Sequence, residues 1–204
     1  FNLNISLLFR KKIIYIFLIL LAMFIPNVTT SQVQVVADFT TDSDVMGCGS
    51  LVVEFKDLSI GLPDTWLWDF GNGSNSTLQN PTVIYTSPGI YNISLTVSNQ
   101  ISNDIKVVNG FIKVYENPSA DFNILGSTIG CNPLSIDLED ISSSNMQINS
   151  WLWDFGDGGS SMLQNPTYQY LNDGIFSVSL SVTDVNGCEN IIIKTDIVKV
   201  SQTP

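Results

Sequence analysis

From residue 36 onward apolar and polar side chains alternate with a period of two. This is the spacing that sets one face of an extended strand on a core and the other in water. In the segment 90–98, Tyr91, Ile93, Leu95 and Val97 share one face while Asn92, Ser94, Thr96 and Ser98 share the other. A later segment repeats the rule, with Phe176, Val178, Leu180 and Val182 opposed to Ser177, Ser179, Ser181 and Thr183. Runs at 51–55, 105–114, 134–138 and 191–200 predict further strands. Asn72-Gly73, Pro88-Gly89, Asp157-Gly158 and Asp173-Gly174 punctuate them as tight turns. No stretch offers a crossover helix, so the pattern excludes parallel sheets and predicts an all-β chain of two-sheet antiparallel sandwiches, immunoglobulin-like, with about seven strands in each.

The amino terminus breaks the alternation. Arg10-Lys11-Lys12 is followed by the 13-residue apolar run Ile13 to Ile25, which stops at Pro26. A charged start and a greasy run too short to cross a bilayer have the layout of a secretory signal, in which a membrane span would need about 20 apolar residues. Thr29 and Ser31 are small enough for the cleavage positions, so residues 1–31 are expected to leave as a signal peptide and the mature chain to start near Gln32. No membrane span is then expected in what remains.

The remainder reads as one unit written twice. Residues 66–97 and 151–182 align without a gap at an offset of 85, and 19 of the 32 positions are identical. Trp66-Leu-Trp-Asp-Phe-Gly-Asn-Gly73 answers Trp151-Leu-Trp-Asp-Phe-Gly-Asp-Gly158, and Leu78-Gln-Asn-Pro-Thr82 answers Leu163-Gln-Asn-Pro-Thr167. Upstream, Ala37-Asp38-Phe39 and Cys48 match Ala120-Asp121-Phe122 and Cys131 at an offset of 83. A repeat of this period is a structural unit, so the expected domains are 32–116 and 117–204, joined at Glu116-Asn-Pro-Ser119.

Charge and composition narrow the chemistry. The 204 residues hold 8 basic and 19 acidic side chains, a net charge of −11, and no histidine. An acidic chain lacks the basic face that a phosphate backbone requires, so nucleic acid is not an expected partner. Without histidine the usual triads and most zinc sites cannot be built. In the duplicated motif Trp66, Trp68 and Phe70, like Trp151, Trp153 and Phe155, fall on one strand face, with Trp68 and Trp153 expected in the cores. Gly71, Gly73, Gly156 and Gly158 are then turn residues. Asp69, Asp154 and Asp157 have three readings: acceptors for turn N–H groups, calcium ligands, or a carboxylate pair for acid–base work. The last would need a second acidic cluster across a cleft, which the chain does not offer, and no catalytic, cofactor or metal residues are assigned.

The Trp-Asp-Phe-Gly-Asp-Gly string, the Gln-Asn-Pro-Thr after it, the aromatics Tyr85 and Tyr170 and the Leu-x-Val near the end of the long strand resemble the polycystic kidney disease (PKD) domain family. Gly130-Cys-x-Pro-Leu134 is similar to copies strung along bacterial surface proteins. The resemblance covers residues 36–200, twice. It implies a seven-stranded β-sandwich, secreted or held at the cell surface, that acts without catalysis as a spacer or as an adhesion module for an extracellular protein or carbohydrate. The alternative it implies is an accessory pair within a larger secreted hydrolase, a protease or a polysaccharide-degrading enzyme. Some relatives bind calcium through an acidic loop before the Trp strand, and the acidic pair is missing from 59–65 and 142–150 here.

Three cysteines remain after residue 31. Cys131 and Cys188 are expected to pair within the second unit, early strand to late strand, since an oxidising compartment favours the bond. Asn103 stands where the first unit would have its second cysteine, which leaves Cys48 as a small buried hydrophobe or an intermolecular link.

Overall fold

The computed structural model describes residues 33–202, and the expected signal segment, residues 1–31, lies outside them. All regular structure among the described residues is β. The first unit contains β1 (Phe39–Thr41), β2 (Met46–Cys48), β3 (Leu51–Asp57), β4 (Thr65–Asp69), β5 (Asn75–Ser76), β6 (Thr82–Tyr85), β7 (Gly89–Ser98) and β8 (Asn103–Tyr115). The second repeats them as β9 (Phe122–Leu125), β10 (Ile129–Cys131), β11 (Leu134–Asp140), β12 (Ile148–Asp154), β13 (Ser160–Ser161), β14 (Thr167–Tyr170), β15 (Gly174–Asp184) and β16 (Glu189–Ser201).

Each unit stacks a three-stranded sheet on a five-stranded one. The orders are β1-β3-β6 against β2-β8-β7-β4-β5, and β9-β11-β14 against β10-β16-β15-β12-β13. The alternation explains the burial: Ile93, Leu95, Val97 and their counterparts Val178, Leu180, Val182 are fully enclosed between the sheets. Two separate cores result. One gathers around Trp68, Phe55, Phe70 and Tyr85, the other around Trp153, Phe122, Phe155 and Tyr170. In both, the Trp ring meets the Phe of the first strand edge-on, Phe39 at 5.4 Å and Phe122 at 5.1 Å between centroids, the offset geometry that aromatic quadrupoles prefer.

Parallel pairing, which the pattern had excluded, occurs at one edge of each sandwich. Met46–Cys48 runs parallel to Lys113–Tyr115, and Ile129–Cys131 parallel to Lys199–Ser201. No crossover helix is needed, because the chain leaves the three-stranded sheet after β1 or β9, joins the edge of the other sheet, and meets its last strand only after the whole sandwich has been laid down. Among the described residues no helix is long and apolar enough to cross a membrane.

Candidate functional site

The duplicated motif ends β4 and β12. Trp68 and Trp153 are wholly buried, and their indole N–H groups donate to the carbonyls of Leu78 and Leu163, both at 2.9 Å. Phe70 and Phe155 are also buried, while Trp66 and Trp151 are half-buried at the margin of each core. The aspartates point out and cap the turn. Asp69 Oδ1 accepts the Gly71 N–H at 2.9 Å, and Asp154 Oδ1 accepts that of Gly156 at 2.8 Å. Asn72 and Asp157 cap the next residue pair in the same way, accepting from the N–H of Ser74 and Gly159 at 3.0 Å each. Gly71 and Gly156 take positive φ, and a Cβ on Gly71 would lie 2.6 Å from the Asn92 carbonyl oxygen. Only glycine fits there. Gly73 and Gly158 also have positive φ but face open space.

The second unit adds a contact of its own. Tyr168 stacks on Phe155 with centroids 3.7 Å apart and donates its hydroxyl to both Asp157 oxygens, at 2.8 and 2.9 Å. Burial, together with that carboxylate, pushes the Tyr168 phenol up to about 12. Tyr85 and Tyr170 hand their buried hydroxyls to the Phe70 and Phe155 carbonyls at 3.1 and 2.9 Å, and burial raises both phenols strongly.

Two pairs of acidic residues that the sequence reading did not single out organise the region beside the motif. Asp57 Oδ2 accepts the Trp66 indole N–H at 2.8 Å and the Gln79 amide at 3.0 Å, and its Oδ1 accepts the Ser59 N–H at 2.9 Å. Asp140 does the same for Trp151 at 2.7 Å, Gln164 at 3.1 Å and Ser142 at 2.9 Å. Burial alone would raise these carboxyls, but the convergent donors outweigh it and hold both below the ordinary carboxylate range. The other pair is Asp38 with Lys106 and Asp121 with Lys194, the latter at 2.9 Å. Each ammonium also sits over a core ring, Phe39 or Phe122, at 5.5 and 4.5 Å from the centroid. The signal was present: all four aspartates recur at the offset of 83.

No group of three or more His, Cys, Asp or Glu side chains among the described residues is gathered as a metal would require. Each motif carboxylate has an oxygen engaged by a backbone N–H.

The joint between the units holds a hollow of its own. Ser119 and Ser143 exchange two backbone hydrogen bonds, at 2.7 and 2.9 Å, as Val36 and Ile60 do in the first unit at 3.0 and 3.1 Å. The Asn145 amide donates to the Glu116 carboxylate. These residues, with Asn117 and Ser144, line a hollow of about 180 Å³. Beside this joint the cysteine pairing departs from expectation. Cys48 is bonded to Cys188, with Cα atoms 5.5 Å apart, and Cys131 is free and exposed. The expected Cys131–Cys188 bond fails because the two positions lie at opposite ends of their sandwich. Cys131 pairs with Ser201 at the end of β16, whereas Cys188 precedes its first residue, Glu189, in the turn from β15. That turn faces the first unit, where Cys48 lies at the other end of its sandwich, beside Tyr115 at the close of β8. Asp184, 2 % exposed, fixes the turn by accepting the N–H of Asn186 at 2.8 Å and of Cys188 at 3.0 Å.

Comparison with known proteins places this geometry. Residues 1–204 contain two matches to the profile of the PKD domain, at 31–108 and 115–200. A microbial collagenase of Vibrio alginolyticus is 53% identical over 49 residues, which is 24% of this chain and 6% of the collagenase. The pre-pro-metalloprotease PrtV of Vibrio cholerae is 39% identical over 72 residues, 35% of this chain and 8% of the relative. The crystal structure of the PKD1 domain from that metalloprotease is 35% identical, with 43% of this chain aligned to 99% of the domain at a TM-score of 0.37. The chain thus spans under a tenth of the length of these two proteases. With both sandwiches carrying the motif and both matched along most of their length, the chain belongs to the PKD domain family.

Proposed function

We propose that the chain is a non-catalytic, extracellular pair of β-sandwich modules that holds other parts of an exported protein, or a bound extracellular protein or carbohydrate, at a set separation. The observation that carries this reading is the stapled joint: two independent cores linked by a four-residue connection and by the Cys48–Cys188 bond. A disulfide of this kind persists in oxidising surroundings, and the basic-then-apolar amino terminus agrees with export. The motif residues that offered chemistry are spent on structure, since Asp69, Asp154 and Asp157 each cap a turn. Incubating the purified chain with peptide and polysaccharide substrates tests the non-catalytic half. No turnover is expected, and turnover that vanished in Asp154→Asn would overturn it. Glycan arrays and cell-binding assays then divide binding from spacing.

A second reading, accessory modules of a larger secreted hydrolase, is favoured by the relatives, in which the matched stretch is a small share of a collagenase and a metalloprotease. A catalytic domain in the same reading frame would establish it.

A further inference from the structure

Cysteines fall at two kinds of position in this chain, and the structure shows what joins them. The first position ends the short strand that runs parallel to the last strand of its unit. Cys48 faces Tyr115 there, and the following N–H, of Gly49, donates to the Tyr115 carbonyl at 2.8 Å. Cys131 occupies the same place in the second unit: it faces Ser201, and the following N–H, of Asn132, donates to the Ser201 carbonyl at 2.9 Å. The second position is the turn between the two long strands, held by Cys188 in the second unit, whose carbonyl accepts the Asp184 N–H, and by Ser102 in the first, whose carbonyl accepts the Asn99 N–H. In the one instance where both partners are present, the end-of-unit cysteine bonds forward to the turn cysteine of the next unit. Cys131 has the same backbone setting and an exposed thiol.

An independent feature points the same way. Counted from the residue that faces the cysteine, Tyr115 is followed by Glu116-Asn117-Pro118, and Ser201 by Gln202-Thr203-Pro204. An acidic or amide residue, a small polar one and a proline recur in the same register, so the segment that leads out of the first unit into the joint is written again after the second. We propose that Cys131 is the bonding site for a third β-sandwich of the same kind, following in the same polypeptide, whose turn between its long strands carries a cysteine in the position of Cys188. The bond forms when the two thiols give up two protons and two electrons to a disulfide-bonded oxidant, which is released as two thiols. Each unit is then stapled to its successor by the same forward link.

Two measurements test this. The partner cysteine is expected about 140 residues beyond Cys131, the separation of Cys48 and Cys188, in the reading frame of the source DNA. A frame without such a unit, or with one lacking a cysteine in that turn, overturns the proposal whatever else is observed. The second measurement extends the full chain after Pro204 with a further copy of residues 119–204, produced in an oxidising compartment. Alkylation, digestion without reductant and mass spectrometry are expected to give Cys48–Cys188 and a second peptide joining Cys131 to the Cys188 of the added unit. The added unit's own Cys131 should be the alkylated one, whereas in the 204-residue chain it is Cys131 itself. The Cys48–Cys188 peptide reports that the extended chain has folded. If that peptide is present and Cys131 is alkylated or bonded to another Cys131, the proposal fails.

Discussion

Gly71 and Gly156 are held in positive φ with a neighbouring backbone carbonyl pressed against the space a Cβ would fill, whereas Gly73 and Gly158 share the conformation and have open surroundings. Alanine at any of the four meets the left-handed penalty, about 1–2 kcal/mol, and only at the first two does it also collide with a rigid strand. Urea unfolding should therefore give a clearly larger loss of stability for Gly71→Ala than for Gly73→Ala, and the same order for Gly156→Ala against Gly158→Ala. The carboxylates give a pH signature. Asp57 and Asp140 titrate below their unfolded value near 3.9, as the ion-paired Asp38 and Asp121 also do. A depressed carboxyl stabilises the fold at pH above its unfolded value and loses that contribution as the pH falls through the folded one. The urea midpoint should thus be flat from neutrality to about pH 5 and fall below about pH 4, and Asp140→Asn should lower the neutral midpoint while shrinking the acid fall. At this scale the motif glycines and tryptophans were legible in the sequence because they are duplicated and chemically unambiguous. Asp57 and Asp140 were not, since an aspartate at a strand end looks like any solvent-facing residue until the indole of the following strand, which lies in the other sheet, is known to point at it.

Strands β4 and β12 carry the heaviest side chains and are tied to β6 and β14 through the Tyr85 and Tyr170 hydroxyls, which end on the carbonyls of Phe70 and Phe155. Tyr170→Phe leaves the Phe155 carbonyl buried without that donor and should cost about 1–3 kcal/mol. Trp153→Ala, which empties the centre of the second core, should cost about 3–5 kcal/mol, enough to unfold a small unit. Differential scanning calorimetry should show the second unit's transition lost or strongly lowered in Trp153→Ala and the first unit's retained. Period-two alternation identified the long strands because one face of each is fully enclosed, as at Ile93, Leu95 and Val97. The three-residue edge strands Met46–Cys48 and Ile129–Cys131 escaped it. They are too short to show a period, and their parallel partners lie far along the chain, at Lys113–Tyr115 and Lys199–Ser201.

For the whole molecule the decisive contact is Cys48–Cys188, which closes a loop across 140 residues. The sequence contained both cysteines and the repeat, yet pairing them required knowing which end of each sandwich they occupy, and that depends on strand direction rather than on spacing. Because the two cores share no buried residue, Cys48→Ser should leave the near-ultraviolet circular dichroism of both units intact while amide exchange quickens at the joint, from Glu116 to Asn145. A cross-link that spans the connection also changes what damage means to this molecule. An enzyme that severs the peptide bond at the joint divides the chain but does not release either half, so a nicked copy would migrate as an uncut one on a gel without reductant and come apart only when reductant is added. In surroundings rich in proteases, the linkage of what lies on either side would outlast the integrity of the backbone between them.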